Sequence, residues 1–359
     1  MPTEFISMTP PNASSELHPI PGAPIDPAYL VRHARMLDDY GFQYTLIPYA
    51  SGYFDPFAIG ATIAAATKQI KVRGRAVVHF IAGGSDVEQA REGDFLPKHE
   101  RYERLEEYIR ILKRGWESAD PFDWDGKHYK FTGWSNQVRP VNGRSIPISV
   151  GGSSDEAYRV GGSLGDIFGL WGEPLKETKE QIDRIYAETD KAGRPATDRP
   201  RIWVTFRPIV AETEELAWAK AHRTLEALES GQGTATRPFN FANKGEGGPQ
   251  NVGSQRLLEI AKKGEVQDRA LWYPTVTATG ARGASTALVG SYDVVAESIL
   301  DYVDLGCELI SIRGYDNFND AVDYGRYILP RVYEGIRQRE EKKAGNGHSG
   351  SNGTAEAAA

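Results

Sequence analysis

Cysteine is nearly absent. Cys307 stands alone in 359 residues, which excludes an intramolecular disulfide and any cysteine-based metal cluster and suits a reducing compartment. Long apolar runs are missing too: no window approaches the ~20 residues that a membrane-spanning helix needs. The start, MPTEFISMTPPNAS, has neither the basic residues nor the apolar core of a secretion signal, so a cytoplasmic location is expected. No long basic run interrupts a chain with 42 Lys and Arg against 49 Asp and Glu and a net charge of −7. Nucleic acid and anionic membrane surfaces are therefore not expected as partners. There is no internal repeat and no linker between two domains. With 40% hydrophobic and 25% charged residues, the composition reads as one globular domain over 1–340 followed by a low-complexity, disordered tail over 341–359.

The most informative stretch runs from Ile146 to Asp155. An apolar segment breaks into Gly151, Gly152, Ser153 and Ser154 just before a helical pattern. The glycines let the backbone approach a ligand, while the two hydroxyls and the first free N–H groups of the helix suit a phosphate. The same four residues also make an ordinary helix cap, Ser being a favoured capping residue. A second apolar segment, Asp166 to Leu170, ends in Trp171-Gly172-Glu173-Pro174. Strand, turn, helix and strand form a βαβ unit, whose ligands sit at the carboxyl ends of the strands.

The rest of the chain repeats that rhythm. Strands are expected at Glu4 to Met8 and Tyr44 to Pro48, with helices from Asp26-Pro27 to Gly41 and from Phe57 to Thr67. A polar loop after the first strand carries Glu16 and His18. A third strand begins at Gln69 to Val72, then passes through Arg73-Gly74-Arg75 straight into another, Ala76 to Ile81. Neighbouring parallel strands need a crossover of about a dozen residues, so either this is one long strand or a βα unit is missing. A loop over Ser85 to Lys98, a helix from His99 to Trp116 and a hairpin around Asp125-Gly126 follow. Beyond the βαβ unit come a helix from Leu175 to Ala192, a strand from Ile202 to Val210, a helix to about Leu228, and a rim insertion. That insertion, Ser230 to Ser285, is irregular apart from a short helix near Ser254 to Lys263. Thr286 to Gly290, a helix over Tyr292 to Leu305, a strand over Glu308 to Arg313 and a helix from Asn319 to about Arg337 close the pattern.

Several segments together resemble the luciferase-like flavin monooxygenases, and most closely their alkanesulfonate monooxygenase branch. They are FQYTLIP (42–48), AGGSDVE (82–88), GDFLPKHERY (93–102), VGGSSD (150–155), LWGEP (170–174), TALVG (286–290) and DLGCELISIRGY (304–315). The resemblance implies an α/β fold, the (β/α)8 barrel. It implies FMN reduced by a separate flavin reductase, molecular oxygen, a small-molecule substrate and a homodimer or homotetramer. For a sulfonate the C–S bond breaks to aldehyde and sulfite. By position, Gly152, Ser153 and Ser154 match the flavin phosphate cradle, and Tyr102 a flavin contact. Ala82 stands where a flavin-contacting hydroxyl is usual. Trp171 matches a wall of the substrate pocket, joined on the substrate side by His18, Tyr53 and Arg313. Tyr315 is a candidate proton donor or substrate hydrogen-bond partner. Tyr102 and Trp171 also read as plain core aromatics.

The departures are specific. Sulfonate-cleaving relatives carry an Arg-x-His pair where this chain has Thr205-Phe206-Arg207, and a rim cysteine where it has Tyr53. Their loop arginine falls near Arg282. A sulfonate, a fixed anion, calls for Arg or Lys, and Arg207, Arg282 and Arg313 are the candidates. The abrupt join at Val72-Arg73-Gly74 removes about one crossover of the family pattern. The alternatives left open are a sulfone, amine or heterocycle substrate, a deazaflavin cofactor, or a barrel that no longer catalyses.

Overall fold

A computed structural model of the chain describes residues 3–20, 25–49, 54–70, 76–138, 140, 145–230, 248–281 and 286–348. The first half contains β1 (Glu4–Met8), α1 (Pro27–Asp39), β2 (Tyr44–Leu46), α2 (Pro56–Ala66), β3 (Val78–Phe80), α3 (Asp86–Arg91) and α4 (Lys98–Glu117). An antiparallel hairpin of β4 (Phe122–Asp125) and β5 (Lys130–Trp134) precedes β6 (Ile148–Gly151), α5 (Asp155–Leu164), β7 (Ile167–Trp171) and α6 (Leu175–Lys191). Then come β8 (Arg201–Ala211), α7 (Glu214–Glu229), α8 (Val252–Ala261), β9 (Val266–Gln267), β10 (Leu271–Trp272) and α9 (Pro274–Thr279). The last elements are β11 (Ala287–Ser291), α10 (Tyr292–Asp304), β12 (Cys307–Ile312), α11 (Asn319–Asp323) and α12 (Leu329–His348).

Seven strands form one parallel curl in the order β2-β1-β12-β8-β7-β6-β3. Residues alternate across it. Ile202, Val204 and Phe206 of β8 enter the main core beneath the helices, whereas Trp203 points inward and meets Ile6, Ile167 and Leu309 from three other strands. This is the parallel α/β curl that the resemblance implies, with a seam: β2 and β3 end it, and among the described residues they do not pair with each other. The seam falls where the sequence lacks a crossover. Only 11 residues separate Ala66, the end of α2, from Val78, too few for a helix and a further strand. Residues 71–75, which include the join, lie outside the described residues. Across the seam the Tyr49 hydroxyl donates to Glu92 Oε1 at 2.5 Å.

Two motifs that are far apart in sequence interlock here. The Thr286 hydroxyl donates to the Gly172 carbonyl at 2.7 Å, and the Thr286 carbonyl accepts the Arg207 N–H at 2.9 Å. LWGEP and TALVG are thus two halves of one backbone junction. β11 runs parallel to the carboxyl half of β8, with Ala287 opposite Arg207, and β10 and β9 extend it antiparallel.

Several expectations are corrected. Gln69 and Ile70 form a bend, not the start of a strand. The Asp38 carboxylate accepts the N–H groups of Lys68, Gln69 and Ile70 at 2.8, 2.8 and 2.6 Å, so these donors are not available to a ladder. The loop after Ser85 contains α3, started by the Ser85 side chain accepting the Glu88 N–H at 3.3 Å. The rim insertion holds β9, β10 and α9 where irregular chain was expected. The final helix is interrupted by a π-helical turn over Tyr324–Ile328, just before Pro330, which has no N–H to continue the α-helical ladder. Finally, α12 continues to His348, past the expected onset of the tail. Residues 349–359 lie outside the described residues.

Burial alone would raise the Asp38 pKa, but the backbone donors from Lys68, Ile70 and Gln69 outweigh it and hold the carboxyl below its usual value. A depressed folded pKa contributes stability that is present above the unfolded value of about 3.9 and is lost as pH falls through the folded one. Replacement of Asp38 by Ala is expected to destabilise the fold by about 3 kcal/mol at neutral pH. In denaturant titrations the gap between Asp38→Ala and the parent should narrow below about pH 4.

Candidate functional site

At the carboxyl end of β6 the backbone turns through Gly152, whose φ of +140° is costly for a residue with a Cβ. A Cβ there would sit 2.9 Å from the Ala157 Cβ and 3.1 Å from the Tyr102 hydroxyl. Ser154 caps α5: its Oγ accepts the Ala157 N–H at 3.3 Å. The capping reading is therefore realised for Ser154, and the Tyr102 hydroxyl also engages its side chain. Glu156 folds back on its own N–H, while Asp155 pairs with Arg184. The Ser153 side chain engages the Tyr158 hydroxyl. Burial pushes the Tyr102 phenol up, and its contact with Ser154 partly offsets the shift.

Arg101 holds the neighbouring loop, and sequence reasoning passed over it. Its buried guanidinium donates to the carbonyls of Ala82 at 3.0 Å and Leu96 at 2.7 Å, and pairs with Asp86 at 2.9 Å. Ala82 thus enters the site through its backbone. The signal was present: an arginine beside Tyr102 in a helix whose neighbouring positions face the core.

α8 roofs the rim. A Cβ at Gly253 would lie 2.9 Å from the Trp171 ring and 3.4 Å from Ser153 Oγ. Gln250, just ahead of α8, accepts the Asp86 N–H at 3.0 Å. The helix is anchored by Arg256, which forms a two-point pair with buried Glu173 at 2.9 and 2.5 Å, and by Ser254 Oγ, which donates to the Ala281 carbonyl at 2.6 Å. Trp171, Ser153 and Gly152 are therefore brought together at one edge.

The second group of candidate residues lies elsewhere. Arg207 is 1% exposed and is engaged through its terminal nitrogens. Its two terminal nitrogens meet Glu16 at 3.1 and 3.0 Å, one also donates to the Gly314 carbonyl at 2.8 Å, and its Cζ lies 3.6 Å from the Tyr315 ring centroid. Tyr315 is buried beneath it in a core shared with Ile209, Trp272 and Val289, and burial raises its phenol although Arg207 opposes the shift. Arg313 turns Nη1 toward Met8 Sδ at 3.3 Å. His18 is exposed on its loop. Tyr53 and Arg282 lie outside the described residues.

A groove of about 480 Å³ between α4 and the hairpin is lined by Glu103, Glu106, Glu107 and Arg110, well away from the strand ends. Its carboxylates are structural. Glu107 accepts from the Trp124 indole and from the His128 and Tyr129 N–H groups at 2.8 to 2.9 Å. Among the described residues no cluster of His, Cys, Asp and Glu is placed to hold a metal, and no helix is long and apolar enough to cross a membrane.

The profile of the luciferase-like monooxygenases matches residues 3–73 and 72–309, two segments that meet at the join. Among solved structures the chain is similar to a riboflavin lyase with modified FMN and riboflavin (TM-score 0.72, 16% identity, 93% of this chain and 92% of that one). It is also similar to DmoA from Hyphomicrobium sulfonivorans (0.70, 18%, 95% and 88%). An F420-dependent secondary alcohol dehydrogenase follows at 0.63 and 13%, over 92% and 99%.

Removing one partner of a buried ion pair strands the other charge. Glu16→Ala and Arg207→Met should each destabilise the protein by about 3–5 kcal/mol, whereas the double change should cost less than the two single changes added together. Denaturant unfolding of the four proteins checks this coupling.

Proposed function

Because this chain belongs to the luciferase-like monooxygenase family, a family of flavin-dependent enzymes, we propose that it uses reduced FMN, supplied by a separate flavin reductase, and molecular oxygen to oxygenate a small organic compound. The observation that carries this reading is the turn at Gly152, Ser153 and Ser154 at the start of α5, faced by the Tyr102 hydroxyl. These residues fit a phosphate-bearing flavin: a backbone stripped of side chain, a serine hydroxyl at the rim, and a helix start with its positive dipole end. Tyr102 and Ser154 would fix the turn, Ser153 and the Asp155 N–H would meet the phosphate, and Trp171 under α8 would wall the pocket from water. When bound, reduced flavin supplies the electrons with which one oxygen atom enters the substrate and the other leaves as water. The chain's own share is placement, orientation and exclusion of solvent.

Organosulfur compounds, alkanesulfonates among them, are the first substrates to try. The engagement of Arg207 by Glu16 withdraws one of the three cations on which sulfonate capture would depend. A second reading, a barrel that binds flavin without oxygenating, is favoured by the absence of β2–β3 pairing among the described residues. Self-association as a dimer or tetramer and a cytoplasmic location accompany the first reading.

Anaerobic titration with reduced FMN, followed by flavin absorbance, tests both readings. Saturable binding is expected, and the double change Ser153→Ala with Ser154→Ala should weaken it by about 1–3 kcal/mol. Unchanged affinity would put the phosphate elsewhere. Binding without oxygen uptake in the presence of any organosulfur compound would favour the second reading.

A further inference from the structure

The barrel lumen is built around an imidazole and an indole. His79 on β3 and Trp203 on β8 lie edge to face, 5.0 Å between ring centroids. Room for them comes from two inward-facing glycines. A Cβ at Gly151 would lie 2.9 Å from His79 Cε1, and one at Gly169 would lie 3.2 Å from the Trp203 ring and 3.4 Å from His79 Cε1. His79 Nδ1 is tied to Ser149 Oγ at 2.9 Å, which leaves Nε2, beside Gly151, as the other ring nitrogen. The Trp203 indole N–H, on a side chain 8% exposed, has no hydrogen-bond partner. A buried donor left unpaired is costly, and such groups in native proteins are normally satisfied by protein or ordered water.

The charge around this pair is balanced. Arg201, two residues before Trp203 on β8, is held by Glu4 at 2.7 Å and Glu308 at 3.0 Å, and Arg207 is held by Glu16. Burial lowers the His79 pKa to about 4, so the imidazole is neutral at physiological pH and offers an anion no charge.

We propose that Trp203 Nε1 and His79 Nε2 form a substrate subsite on the floor of the barrel mouth that receives an uncharged hydrogen-bond acceptor, a sulfone, amide or ketone oxygen, in preference to an anion. This deepens the proposed function, since it rests on the carboxyl ends of the strands being the ligand pocket. Trp203 acts as donor. His79, fixed by Ser149, completes the polar edge.

The test compares two probes of similar size, uncharged dimethyl sulfone and anionic methanesulfonate, by ligand-detected NMR titration of the full chain, with reduced FMN titrated in parallel. Dimethyl sulfone is expected to bind more tightly than methanesulfonate. Trp203→Phe, which keeps the ring packing and deletes the N–H, should weaken sulfone binding about three- to tenfold while leaving circular dichroism and FMN affinity unchanged. The paired change His79→Leu with Ser149→Ala, which removes both ends of the polar tie, should weaken it by a similar factor. Methanesulfonate binding as well as the sulfone, sulfone affinity unchanged in both variants, or saturation by neither probe would overturn the proposal. Loss of FMN binding with the sulfone preference intact would sink the flavin reading and leave this subsite standing.

Discussion

A parallel strand reaches its neighbour only through a crossover of about a dozen residues, and the rest of this structure depends on where that requirement is met and where it is not. From β12 through β8 and β7 to β6 the ladders are continuous. Helices and the rim extension cover this arc, and on it sit Gly152, Ser153, Trp171 and Trp203. Between α2 and β3 there is no room for a further strand and its helix, and among the described residues the curl stops at β2 on one side and β3 on the other. The candidate site straddles both conditions: its phosphate turn stands on the closed arc, whereas His79 and Ala82 stand at the seam edge.

Charge distribution gives the site its character. Arg101, Arg207 and Arg256 are each engaged in holding backbone or a carboxylate: the 82–96 loops, Glu16 and Gly314, and Glu173. They tie loops and helix starts of the rim to one another. A rim organised in this way presents hydroxyls, N–H groups and aromatic edges to a ligand and keeps its positive charge occupied. The turn at α5 suits a phosphate because its donors are backbone groups at a helix start, which require no free arginine.

Much of the fold was legible in the sequence because local signals agreed with the tertiary result. Asp26-Pro27 starts α1, the Asp125-Gly126 hairpin forms, and Gly151 to Ser154 joins β6 to α5. The missing crossover was readable as a count of residues. What escaped is decided by contacts between distant residues. The bend at Gln69 is imposed by Asp38, about thirty positions earlier. β10 is a two-residue strand that exists because β11 is there to pair with, and β9 in turn pairs with β10. In the site, the apposition of Ser153, Trp171 and Tyr102 follows from the family resemblance, but the pairing of Arg207 with Glu16 does not, because Glu16 lies in a polar loop with no periodicity to place it. His79 and Trp203 were invisible as a pair, since Gly151 read as part of a ligand-binding turn and Gly169 as an ordinary strand glycine.

Native-state hydrogen exchange with and without reduced FMN tests the central claim, a seven-stranded curl that still carries a flavin site on its closed arc. The account predicts faster exchange for amides of β2 and β3 than for those of β7 and β8, and flavin-dependent slowing centred on residues 152–156. Equal protection of β2 and β3 with the central strands would contradict the open seam, and slowing confined to another part of the chain would contradict the site.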